Sequence, residues 1–218
     1  MDIREKENLI FEEWRHKRHG FVSDGVVNQD VYLGSNPRIA FILKEVNDPD
    51  GGDWDLRQYL KKGGRAQTWD NITRWVRGIR KLPEEIQWEN LSEITIEQRR
   101  ETLKSICAIN LKKSPGGHTT NNQSLWDTSA ENREPLRKQF DLYDSDLVVC
   151  CGRVTTKIFH HLIDFGSEPD WVMTYRGIWY HEYRAGHFII DYAHPEARVS
   201  DCLLHYGLID AVKEIWKG

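Results

Sequence analysis

The sequence predicts an α/β fold, a three-layer α/β/α sandwich around a mostly parallel central sheet. Three observations carry that expectation. Near-continuous apolar runs at 38–44, 106–111 and 147–151 read as strands buried on both faces, as parallel strands are. Segments with apolar residues at helical spacing alternate with them, the pattern of strands joined by crossover helices. The chain has 218 residues, 39% hydrophobic and 11% aromatic, which is enough to build a core and argues against disorder. A single domain is expected over 1–218, with an N-terminal helix and lead-in over 1–35 and an α/β core over 36–218.

The elements follow in order. Residues 1–19 read as an amphipathic helix with Ile10, Phe11 and Trp14 on one side and Gly20 at its end. From Phe21 to Pro37 the chain is expected to be short-looped, with turn signals at Asp24-Gly25 and Asn36-Pro37. The first strand, 38–44, runs into Glu45–Gly52, a loop dense in carboxylates, amides and glycines. Helical patterns follow at 54–61 and 68–79, the second with Thr68 as N-cap and Trp69, Ile72, Trp75, Val76 and Ile79 on its apolar face. A further helix is expected over 95–104. The second strand, 106–111, ends in the loop Lys112–Gly117, and a long loop is expected to lead to a helix near 130–143. The third strand, 147–151, leads into a helix through Ile163. Runs at 179–183 and 187–192 read as a hairpin before His194-Pro195. The last helix, 200–216, carries Cys202, Tyr206, Ile209, Val212 and Trp216 on one stripe.

Charge and cysteine usage narrow the functional classes. Thirty basic against 34 acidic residues give a net charge of −4, which removes the domain-wide basic surface of a typical nucleic-acid binder but allows a local basic groove. No apolar run approaches the ~20 residues of a membrane-spanning helix. The first residues lack the apolar stretch of a secretory signal. A soluble, cytoplasmic protein with no membrane partner is expected. Cys107, Cys150, Cys151 and Cys202 form no C-x-x-C pair and read as free, mostly buried thiols, so neither a metal site nor any other cofactor is expected of them. His181-Glu182 with His187 misses the H-E-x-x-H helical spacing, and adjacent His160 and His161 point different ways on a helix.

Three predicted strands end in polar loops, at Glu45–Gly52, Asn110–Gly117 and His194–Arg198. In open α/β sheets ligands bind outside the carboxyl ends of the strands, so these loops define the candidate site. His194 can donate an imidazole N–H to an oxygen that gathers negative charge; its bland alternative is a core or helix-capping histidine. Asn110 can offer a donor and an acceptor to a base edge, or simply hold a strand-to-loop turn. Glu45, Asn47 and Asp48 offer two carboxylates and an amide to a ligand, a carboxylate binding water or a cation more strongly than an amide. Their ranking stays open beside the alternative of an Asx turn before Pro49. Trp54 lies shortly after that loop and, among nine Trp in the chain, reads first as core packing. Gly116 and Gly117 permit close approach of the backbone to phosphate, with Lys112, Lys113 and Ser114 as further contacts, though glycine-rich loops are also ordinary turns, and Arg198 would lie beside a ligand at His194 or is simply solvated surface.

Glu45-Val-Asn-Asp-Pro49, Ile109-Asn110 and Ala193-His-Pro-Glu-Ala-Arg198, in that order, resemble the motifs of the uracil-DNA glycosylase superfamily. In that family a first strand leads into a Gly-opened loop closing on Asp, Asn or Ala before Pro. A second strand ends in Asn, and a late strand runs into His-Pro-Ser or a close variant. The resemblance spans roughly 36–216. The stretch 106–152 is similar to the iron–sulfur branch but lacks the cluster cysteines, so no cofactor is implied. The resemblance implies a uracil-DNA glycosylase-like fold and a DNA glycosylase of base-excision repair. Such an enzyme flips uracil or a related base out of the stack and hydrolyses its N-glycosidic bond. It assigns His194 to the base carbonyl, Asn110 to base recognition, and Trp54 to stacking. Asn47 matches the motif, Glu45 matches if the register moves by one, and Asp48 is the third candidate for the attacking water. The partner implied is single- or double-stranded DNA or a nucleotide, and a monomer is expected. Lys44 or Glu45 stands where the family has its opening Gly, and Glu196 where it has Ser. Glu196 in that place and the acidic net charge favour the alternative, a catalytically weak or inactive nucleic-acid- or nucleotide-binding module on the same fold.

Overall fold

The centre of the protein is β2 (Ile39–Leu43), every residue of which is buried. It pairs in parallel with β3 (Ile106–Asn110) on one side and β4 (Leu147–Cys151) on the other, and β7 (His187–Tyr192) continues the parallel set beyond β4. In the computed structural model, which describes residues 2–15, 20–48, 51–117, 120–163 and 170–216, antiparallel strands flank this core. These are β1 (Gly25–Val26) beside β3, then β6 (Trp179–Arg184) and β5 (Val172–Met173) beyond β7. Among the described residues the order is β1-β3-β2-β4-β7-β6-β5, one mixed seven-stranded sheet.

Helices cover both faces because alternate strand residues are apolar on both. Ile39, Phe41 and Leu43 pack against α3 (Leu56–Lys61), α4 (Ala66–Lys81) and α9 (Asp201–Ile215) through Leu60, Trp75, Leu208 and Val212. Ala40 and Ile42 pack on the opposite side, against α1 (Ile3–Arg15), α6 (Asn122–Glu131), α7 (Arg133–Asp141) and α8 (Arg153–Ile163) through Phe11, Leu125, Phe140 and Phe159. The expected strands and the layering of helices around a mostly parallel core are present. The described residues also form α2 (Gln29–Leu33), a 3₁₀ turn at Trp88–Asn90 and α5 (Ile96–Leu103), the last opened by a reciprocal capping box between Thr95 and Gln98.

Four local expectations are corrected. The stretch 21–37 holds β1 and α2 rather than loop alone. Gly25 sits in a buried strand at φ +115°, where a Cβ would lie 2.2 Å from Oε1 of Glu7 and 2.3 Å from the Tyr143 hydroxyl. Thr68 lies inside α4, which begins at Ala66, and its hydroxyl donates to Glu196 instead of capping the helix. In place of a long loop before one helix near 130–143, the chain forms α6 ahead of α7, the two meeting at Asn132, whose Oδ1 accepts from Trp14 Nε1 at 2.7 Å. The buried stripe of α9 includes Leu204, Leu208, Ile209, Val212 and Ile215, while Trp216 is exposed. Residues 16–19 of the expected first helix lie outside the described residues.

Candidate functional site

The chain leaves β2 toward α3 and α4 on one face and leaves β3 toward α6 and α7 on the other. Two adjacent parallel strands whose connections diverge leave a crevice at their carboxyl ends. A cleft of about 760 Å³ opens there. It is lined by 43–48 after β2, Asn110 at the end of β3, Gly117 and Thr120, and His194 and Glu196 after β7. Trp54, Tyr59, Lys62, Arg65, Thr68 and Trp69 form the wall contributed by α3, α4 and their lead-in.

Backbone bonds between the loops after β2 and β3 extend the parallel pairing past the strands. Lys112 N donates to Lys44 O at 2.9 Å, Gly116 N to Val46 O at 2.9 Å, and Asp48 N to Gly116 O at 3.0 Å. Side chains lock the same pair of loops. The Lys112 ammonium donates to Glu45 Oε2, a carboxylate only 5% exposed, and that carboxylate lies flat over Gly116. Asp48 Oδ2 accepts from the indole N–H of Trp54 at 2.9 Å, and the Trp54 ring meets Tyr59 edge-on at 5.7 Å.

His194 is held in one tautomer. The backbone N–H of Glu196 donates to its Nδ1 at 3.1 Å, which leaves the ring proton on Nε2. Burial holds the imidazole below its ordinary value of 6.5, with Lys44 and Arg65 acting in the same direction against Glu196. The ring is therefore neutral at pH 7 and carries a donor, not a charge. Burial pushes the Glu196 carboxyl up, but hydrogen bonds from Thr68 and Arg65 outweigh it and hold the group below its ordinary range. Asn71 on α4 secures the turn from beneath, its Nδ2 donating to Pro195 O at 2.8 Å and to Asp201 Oδ1 at 2.9 Å.

Of the residues singled out from sequence, Glu45, Asn47, Asp48, Trp54, Asn110, Gly117 and His194 line this one cleft. Lys112, Gly116 and Arg198 are not among its lining residues. The Lys112 ammonium is committed to Glu45, Gly116 receives the Glu45 carboxylate where phosphate contact was expected, and Arg198 is exposed elsewhere. Pro49 lies outside the described residues. Sequence reasoning missed Arg65 and Thr68 as cleft residues, since the turn at Gly63-Gly64 between α3 and α4 brings them there, and it missed Asp24 and Asn71, whose partners lie far along the chain. Among the described residues no group of three or more His, Cys, Asp or Glu converges as a metal-ligand set. Nor is any described helix long and apolar enough to cross a membrane. Comparison of the chain with protein-family models and with curated proteins finds no match.

Proposed function

We propose that this protein is a uracil-DNA glycosylase-like enzyme that receives an extruded nucleobase in the cleft and hydrolyses its N-glycosidic bond. The observation that carries the reading is the meeting of His194, Asn110 and the 44–48 loop, far apart in sequence, around one cavity of about 760 Å³. That volume lies within the range of small-molecule sites and accommodates a base with its sugar. In the proposed reaction the C1′–N bond breaks with its electron pair leaving on the base. The Nε2–H of neutral His194 donates to the base carbonyl oxygen where that charge collects. Water adds its oxygen to C1′ of the oxocarbenium-like sugar, and its proton passes to Asp48. Asp48 is the preferred holder of that water, since the Glu45 carboxylate is nearly buried and spent on Lys112. Trp54, steadied by Asp48, offers its ring to the base.

The alternative, a base-binding module that does not cut, draws support from the same Glu45–Lys112 pair, which ties up one of the loop's carboxylates. One experiment separates the two. Oligonucleotides carrying uracil, hypoxanthine or xanthine, single- and double-stranded, are incubated with the protein and then treated with alkali. Strand breaks at the modified base that fall on the order of 10²–10³-fold in His194→Ala support the glycosylase. Saturable binding without breaks supports the module.

A further inference from the structure

We infer that Asp24 is a positioning residue that fixes the orientation of the Asn110 amide, and so sets which hydrogen-bonding edge the cleft presents. Asp24 is fully buried just before β1, on the far side of β3 from β2. Its Oδ2 accepts from the backbone N–H of Asn110 at 2.7 Å and from the Asn110 side-chain Nδ2 at 3.3 Å. Its Oδ1 accepts from Lys113 Nζ at 2.5 Å and from Gln139 Nε2 at 2.8 Å. Apart from that side-chain amide, three donors hold the carboxylate, each placed by its own contacts. One is the β3 backbone. Lys113 is fully buried, its ammonium 5.2 Å from the Trp14 ring centre. Gln139 also donates to the Tyr143 hydroxyl, which donates in turn to Glu7.

A carboxylate only accepts. A flipped Asn110 amide would set its Oδ1 against a carboxylate oxygen in a buried site and lose its bond, which leaves one stable orientation. Nδ2 faces Asp24, and the carbonyl oxygen is the end turned away from it, toward the cleft that Asn110 lines. An acceptor held there suits a base whose ring nitrogen carries a proton, as in a lactam. It opposes the bare ring nitrogen of cytosine or adenine. What the amide meets rests on the proposed function; that Asp24 holds it does not.

The test replaces the whole ion pair, Asp24→Leu with Lys113→Met, so that no buried charge is stranded and no acceptor remains for the Asn110 amide. Two quantities are read. The first is hydrogen exchange of the Asn110 side-chain amide by NMR. The second is the preference for uracil over cytosine, from strand cleavage and from binding of free deoxyuridine and deoxycytidine. The wild type is expected to show one slowly exchanging Asn110 Nδ2 proton. In the double variant that protection is expected to vanish, and the uracil preference to fall on the order of tenfold to a hundredfold, more than the uracil rate itself. A folded double variant that keeps its preference overturns the inference. So do two freely exchanging Asn110 protons in the wild type, a result that does not depend on the variant folding. A locked amide in a wild-type protein that neither cuts nor binds any base supports positioning by Asp24 and overturns the glycosylase reading instead.

Discussion

The Glu45 carboxylate rests directly on the backbone of Gly116: a Cβ at position 116 would lie 2.3 Å from Cδ of Glu45. Any side chain there must push the carboxylate off Lys112 or part the two loops that Asp48 N and Gly116 N stitch together. Gly116→Ala is therefore expected to destabilise the fold by about 1–3 kcal/mol, the usual cost of overpacking. Gly117 is the internal control, since a Cβ there meets nothing within 4 Å. Gly117→Ala should stay within ~0.5 kcal/mol of wild type. Denaturant midpoints of the two variants measure this directly, and equal midpoints would show that the Glu45 seat carries no weight.

The Glu196 N–H on Nδ1 sets a prediction for the chemistry of His194. Its ring should be the Nε2–H tautomer by 15N NMR at pH 7. Because burial lowers its affinity for protons, the neutral ring is present at neutral pH, and only as pH falls through a value below 6.5 does Nδ1 gain a proton and cease to accept from the Glu196 N–H. Protonation breaks the bond that orients the ring, so if Nε2–H faces the leaving base the rate of base release should be level through 6.5 and decline below it. A midpoint above 6.5, or a proton on Nδ1, contradicts the arrangement.

His205 makes a separate prediction about stability. It is buried between α4 and α9, where Gly78 allows the close approach: a Cβ at 78 would lie 2.5 Å from its Cε1. Burial, with Arg74 nearby, lowers its pKa from 6.5 to about 4. Between those values the unfolded chain binds a proton that the folded protein refuses, so stability is complete above 6.5 and erodes as pH falls toward 4. The loss attributable to this group is on the order of 3 kcal/mol. His205→Leu should flatten the pH dependence of the denaturation midpoint in that window relative to wild type; an unchanged slope would mean the imidazole titrates normally.

The same residues show what a linear reading can reach. The apolar runs of β2, β3 and β4 are legible because burial on both faces leaves no room for polar residues, and the loops that follow them stand out by contrast. α9 is harder. Leu203, Leu204, Leu208, Ile209, Ala211, Val212 and Ile215 spread apolar character around much of the helix, so periodicity alone does not choose the buried face, and packing against α4 does. Asp24 is harder still. Asp24-Gly25 has the local chemistry of a turn, and only partners at 110, 113 and 139 make it a buried carboxylate in the sheet. The division at Asn132 likewise depends on Trp14, 118 residues earlier. The candidate site was legible where strand ends carry polar side chains, and illegible where distant elements supply the wall or the support.

Asn71 is such a support, and its substitution tests whether the turn bearing His194 is held from below. Its amide uses both ends: Nδ2 donates to Pro195 O and Asp201 Oδ1, and Oδ1 accepts from Arg74 Nη1 at 2.8 Å, while Arg74 also reaches Asp201 Oδ2 at 3.1 Å. Asn71→Ala leaves the Pro195 carbonyl without this donor and opens a small void beside a 3%-exposed position, so a loss of about 1–3 kcal/mol is expected. Asn71→Asp keeps the shape and the Arg74 contact but turns the donor into an acceptor facing a carbonyl and a carboxylate. It should be the more damaging of the two at pH 7 and recover part of its stability as its new carboxyl protonates at low pH. The outcome also bears on the cleft, since Pro195 follows His194 directly. Slower base release in Asn71→Ala at temperatures where it remains folded would show that the peptide at 195 carries the imidazole's placement. An unaltered rate would show that the Glu196 N–H holds it alone.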